Sequence, residues 1–135
     1  MRYLGIDYGI KRVGIAFSDE TGEFALPFSV LPNNDALLVA IAAICRDKNI
    51  GLIVLGESKN FAGEDNPIMK NIREFKIRLE KETGLFVHFE PEFFTSVEAG
   101  RIQGKNAKLD ASAAALILKS FLEKRNYKKD GKNKF

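Results

Sequence analysis

The sequence predicts an α/β domain with a mixed five-stranded sheet: an antiparallel three-stranded meander followed by αβ units, with helices flanking the sheet. Two observations carry this. Short segments that alternate or run apolar, separated by Gly and Asp, fill the first 31 residues, and the apolar spacing then changes to a helical period. A third observation is the uninterrupted apolar run Gly51-Leu-Ile-Val-Leu-Gly56, the pattern of a parallel strand buried on both faces.

The elements follow in order. Residues 2–7 and 11–18 read as two strands joined through Tyr8-Gly9-Ile10, and Asp19-Glu20-Thr21-Gly22 as the next turn. Residues 24–31 form a third strand, which Pro27 assigns to an edge or a bulge. After Pro32-Asn33-Asn34, the residues Leu37, Leu38, Ile41, Ile44 and Cys45 share one helical face. The run 51–56 is the fourth strand, and a polar loop covers 57–66. Asn66-Pro67 is expected to open the second helix as N-cap and first-turn proline. Ile68, Ile72, Phe75 and Leu79 line its buried face, and Thr83-Gly84 ends it. Residues 85–89 are the fifth strand. Thr95 and Glu98 have capping-box spacing for a short helix ending at Gly104, and 105–108 is a linker. Asp110 is expected to cap a long Ala-rich helix reaching about Arg125. The domain thus covers 1–125, and residues 126–135 form a basic tail expected to be disordered when free.

Composition excludes several classes of protein. A single cysteine, Cys45, forms no internal disulfide, and with only His88 beside it builds no zinc site. His88 alternates within a strand and reads as a partly buried strand residue rather than a base. The start MRYLGID lacks a signal-peptide pattern, and no apolar run approaches the roughly 20 residues of a membrane span, so a cytoplasmic protein is expected. The formal net charge of +3 belongs to the tail. From Lys124 onward there are six basic residues and one acid; the remainder has 15 basic and 17 acidic residues, a net of −2. Nucleic-acid binding by the folded body therefore needs a local patch.

The strongest local signal is Gly5-Ile6-Asp7-Tyr8-Gly9, followed by Lys11-Arg12-Val13-Gly14. An aspartate ends an apolar strand, glycines beside it admit a bulky ligand, and two cations follow. A carboxylate for a hard metal next to cations for phosphate oxygens suits phosphoryl chemistry, although a hairpin turn alone also favours Asp and Gly. A second candidate, Glu92, lies just past the fifth strand, where sites gather in open α/β sheets; Glu90 is its competitor. The third, Asp110, starts the longest helix, where an N-cap role would also explain it. The three carboxylates together would make a cage for Mg²⁺ or Mn²⁺. Lys11 and Arg12 in the hairpin, with Lys105 and Lys108 before the last helix, are the candidate backbone contacts.

The segment LGIDYGIKRVGIA resembles the N-terminal motif of the YqgF family, RNase H-like proteins described both as Holliday junction resolvases and as nucleases maturing the end of small-subunit ribosomal RNA. GLIVLG, TGLFVHFEPEFFTSVEA and LDASAAALILKSFL follow in the family's order, so the resemblance spans residues 2–122. It implies an RNase H-like fold and maps the family's acidic residues onto Asp7, Glu92 and Asp110. Two segments depart from the pattern: Pro91-Glu92-Phe93 replaces the usual Asp-Glu-Arg, and Glu57-Ser-Lys-Asn-Phe-Ala-Gly63 replaces the usual leucine-asparagine-aspartate-glycine loop.

The expectation is a metal-dependent nuclease that processes the 5′ end of small-subunit ribosomal RNA precursor, with structured RNA precursor or branched DNA as its nucleic-acid partner, ribosomal particles as further partners and a monomer or weak homodimer as its state. The alternatives are a Holliday junction resolvase and a non-cleaving RNA- or ribosome-binding factor. An ATP-using relative of the sugar kinases is disfavoured, because Ile10 stands where their hydroxyl residue is expected and the chain lacks length for a second domain.

Overall fold

A computed structural model describes residues 1–59, 62–91 and 107–134, with side chains described over 111–127 of the last segment. The strands are β1 (Arg2–Tyr8), β2 (Arg12–Ser18), β3 (Ala25–Pro32), β4 (Ile50–Glu57) and β5 (Val87–Pro91). The helices are α1 (Leu37–Asp47), α2 (Met69–Thr83) and α3 (Ala107–Lys134). The sheet order is β3-β2-β1-β4-β5, so β1 is central. β1, β2 and β3 pair antiparallel, whereas β4 runs parallel to both β1 and β5. This is the mixed sheet that the alternating start and the apolar run predict.

Strand alternation divides the core into two layers. Leu4, Ile6, Val13, Ile15, Ile53 and Leu55 face one side, where Leu37, Ile41 and Cys45 of α1 and Ile72, Phe75 and Leu79 of α2 cover them. Tyr3, Ala16 and Val54 face the other, under Ala114, Ile117, Leu118 and Leu122 of α3. At ~25 cal/mol per Å² of apolar surface, these two layers are the main stabilising term. Pro27 does lie on an edge strand beside a bulge: Ile15 pairs with Ser29 and Ala16 with Pro27, leaving Phe28 as the extra residue. Its ring meets Phe17 edge-on at 5.3 Å, and Lys48 Nζ lies 4.8 and 4.9 Å from the two ring centres.

Several boundaries differ from the sequence reading. Asn66 does not cap α2. Its side-chain amide donates to Ser58 Oγ at 2.8 Å and its carbonyl accepts from Met69 N–H at 2.9 Å, so Pro67 and Ile68 form a turn and the helix starts at Met69. Asp110 is not an N-cap either, because α3 already begins at Ala107 and places Asp110 in its first turn. Ala and Lys at 107 and 108 extend a helix readily. At the other end α3 continues past Arg125 to Lys134, a stretch without proline and rich in helix-compatible Lys. The end of α2 is as expected: Gly84 has φ 70° and its N–H donates to Glu80 O at 2.9 Å. The helix expected over 95–104 lies outside the described residues.

Candidate active site

The parallel strands β1, β4 and β5 end together, and Asp7 stands at that end of the central strand. Alternation from Tyr3 through Gly5 puts Asp7 on the α3 side of the sheet, where it is half-buried. Its lateral neighbours carry no side chains. Gly14 is its partner in β2, and on the other flank Gly56 follows Leu55, the partner of Ile6. A glycine–aspartate–glycine row leaves room around the carboxylate that larger residues would fill.

Gly5 sets how closely α3 approaches. A Cβ there would lie 2.8 Å from Leu118 Cβ and 2.9 Å from Ala114 O. Tyr3, two residues earlier, packs against Phe121 with ring centres 5.6 Å apart and lies under Arg125 at 5.2 Å. The helix therefore runs antiparallel to β1. Two strand residues advance about 6.7 Å, the rise of four to five helical residues. The backbone of α3 opposite Asp7 is then its first turns, from about residue 110 onward. Asp110 and Lys108 belong to that turn. Glu92 and Lys105 lie outside the described residues. Among the described residues, no three His, Cys, Asp or Glu side chains gather into a metal-binding group.

Lys11 and Arg12 are exposed at the β1–β2 hairpin, at the same end as Asp7. One residue holds this hairpin from the far side of β3. Asn33 donates from Nδ2 to Gly9 O at 2.8 Å and from its backbone N–H to Lys11 O at 2.9 Å. Gly9 is required as glycine, since a Cβ would lie 2.5 Å from Arg12 O. The sequence offered Asn33 only as a residue preceding the first helix; its partners are 22 and 24 positions earlier, and nothing local announces them.

Glu90, the competitor of Glu92, is 2% exposed on β5. Ser120 Oγ donates to its Oε2 at 2.9 Å and Lys124 Nζ at 2.6 Å, which ties β5 to α3. Beside the site, the loop after β4 is closed by Lys59, which bonds Asp65 at 2.7 Å, while Arg73 bonds the same carboxylate. The bond to Asp65 holds the Lys59 ammonium above its usual range, and the bonds from Lys59 and then Arg73 hold Asp65 below the usual carboxylate range. The tight turn at Asp19 is of the same kind: Thr21 Oγ1, then Phe24 N–H, lower its carboxyl to about 2.

Residues 1–124 match the family model described as RuvX, Holliday junction resolvase. A protein of Maridesulfovibrio salexigens named "Putative pre-16S rRNA nuclease" is 35% identical over 132 residues, covering 90% of this chain and 98% of the relative. Another of that name, from Koribacter versatilis, is 37% identical over 134 residues, covering 92% and 88%. Among solved structures, Thermus thermophilus RuvC in complex with a Holliday junction substrate superposes with a TM-score of 0.61 at 13% identity, over 93% of this chain and 95% of that one. The Fowlpox virus resolvase bound to Holliday junction DNA gives 0.52 at 14% identity, over 92% and 98%. At such identities these two establish the fold, which is RNase H-like.

Proposed function

We propose, from the premise that the chain belongs to the RuvX family of Holliday junction resolvases, that it is a metal-dependent nuclease whose substrate is the precursor of small-subunit ribosomal RNA. The observation that carries the reading is Asp7, a carboxylate at the end of the central strand with glycines on both flanks. The space beside it suits a cation and a phosphate. The names of the curated relatives favour the RNA substrate. The family's description favours a branched DNA junction, which is the second reading.

Asp7, Glu92 and Asp110 would hold Mg²⁺ or Mn²⁺. An all-oxygen donor set fits a hard divalent ion, and the one buried cysteine and single histidine supply no soft alternative. Such ions, when bound, activate water and stabilise charge on the leaving oxygen. In the overall reaction water adds to phosphorus, one phosphorus–ester oxygen bond breaks, and a phosphate monoester and a hydroxyl end result. The protein's own residues orient the strand. Lys11 and Arg12 meet phosphates from the hairpin that Asn33 fixes, and Lys105 and Lys108 are the further candidate contacts. Holding the phosphate in place beforehand lowers the barrier by removing positional freedom.

The test is cleavage of matched ribosomal-precursor RNA and four-way junction DNA, each with Mg²⁺ and with chelator. The expected result is Mg²⁺-dependent cleavage of the RNA at one end-proximal site and intact junction. Symmetric cutting of the junction with intact RNA would transfer the assignment to the second reading. Binding without cleavage of either would make the protein a non-cleaving factor.

A further inference from the structure

On the opposite face of the sheet from Asp7, but at the same strand end, is an open cleft of about 310 Å³. It is walled by the β3–α1 connection and by α2, with Tyr8, Asn33, Asn34, Asn71, Phe75 and Arg78 among its lining residues. Resting on the nuclease reading, we infer that this cleft receives one unpaired nucleobase of the substrate strand, next to the phosphate held at Asp7.

Position comes first. Tyr8 follows Asp7 in the chain, so alternation sends the two side chains to opposite faces of one strand end. A strand crossing that end meets both. The basic hairpin that would grip its phosphates borders the cleft, because Asn33 lines the cleft and holds Gly9 and Lys11.

Chemistry comes second. Tyr8 is half-buried and packs on Phe75 with ring centres 4.8 Å apart, giving an aromatic wall for a base. Around it are groups that read the edge of a base. Asn33 can accept through Oδ1, since its Nδ2 is committed to Gly9. Asn34 can donate through Nδ2, since its Oδ1 accepts from Ala36 N–H at 2.9 Å. Asn71 and Arg78 are exposed, and their side chains have no hydrogen-bond or ion-pair partner among the described residues.

Charge and size select the base over the phosphate. Asp35 and Glu74 also line the cleft, so its carboxylates outnumber its single cation, and a bare phosphate is disfavoured there. The volume stands at the low end of the usual 300–1,000 Å³ for ligand pockets, enough for a single nucleoside. A base buried in that cleft cannot stay paired. The substrate class is therefore a polynucleotide with at least one unpaired residue beside the cut, rather than a continuous duplex.

The experiment measures binding without cleavage. Decamers carrying 2-aminopurine, single-stranded or in a blunt duplex, are titrated in EDTA with the full chain, with Tyr8→Leu and with Asn71→Ala. Because Tyr8 packs on the core residue Phe75, Asn71→Ala, at an exposed position, keeps the test alive if Tyr8→Leu unfolds. The expected result is quenching on binding of the single strand and a Kd raised by about tenfold in either variant, with the duplex Kd changed by less than about twofold. Equal losses on both decamers, or no loss on either, would overturn the inference. So would binding of free 5′-mononucleotides as tight as that of the single-stranded decamer. If cleavage is absent but the variants still discriminate, the nuclease reading fails and the base site stands; if cleavage persists while the variants bind like the parent, the base site fails alone.

Discussion

Asp7 is placed by residues that do no chemistry. Gly14 and Gly56 clear its flanks, and Asn33, on another strand's end, anchors the hairpin that follows it. The sequence made Asp7 legible through the neighbouring glycines and cations, but Asn33 acts through contacts too distant in the chain to read. Cys45 is the reverse case, a reactive residue type made inert. It is 6% exposed on the buried face of α1, and burial pushes its thiol up to about 11. The raised value means the folded chain favours the protonated thiol. That contribution is complete below the ordinary value of 9.0 and is lost as pH rises toward 11. At pH 8, labelling of the native protein by a thiol reagent should be about a hundredfold slower than in denaturant, following the thiolate fraction. Equal rates would show that the core under α1 opens freely.

At the scale of elements, the decisive contact is α3 on β1. The Ala-rich helix was readable from its sequence, and so was its burial. Its seat on Gly5 was not, because a glycine inside a strand can equally mark a bulge or a ligand approach. Gly5→Ala must push α3 away, since the new methyl would lie 2.8–2.9 Å from Leu118 Cβ and Ala114 O. Overpacking of this kind costs about 1–3 kcal/mol. Urea titration should show a lower midpoint with an unchanged slope. Cleavage, measured where the variant is fully folded, should also fall, because the first turn of α3 moves relative to Asp7. A variant with the parent's midpoint would mean that the helix is not held by this contact. Glu90 adds a second tie, from β5 to Ser120 and Lys124. The sequence offered Glu90 only as a competitor of Glu92 for the site; its burial and its two bonds to α3 assign it to fastening that helix.

For the whole molecule, the order of elements and the two-sided core followed from periodicity, because burial imposes the periods of two and 3.6 that a sequence displays. Among the helices, the boundaries that shifted were the starts of α2 and α3 and the end of α3. Asn66 had a capping residue's identity but spent its side chain on Ser58, and α3 began three residues before the acid expected to cap it. Both are tertiary choices made among locally permissible alternatives. The proposed site residues divide in the same way: Asp7 and its glycines lie on one described strand end, Asp110 belongs to the first turn of α3, and Glu92 lies outside the described residues. The proposed function rests above all on one dependence, that of phosphodiester cleavage on the Asp7 carboxylate. It is tested by comparing parent and Asp7→Asn on the precursor RNA with Mg²⁺ and with chelator, alongside thermal unfolding of both proteins. Chelator-sensitive cleavage by the parent, a loss of about two orders of magnitude or more in the variant, and closely similar unfolding temperatures are expected. Cleavage by Asp7→Asn at the parent's rate would contradict that dependence.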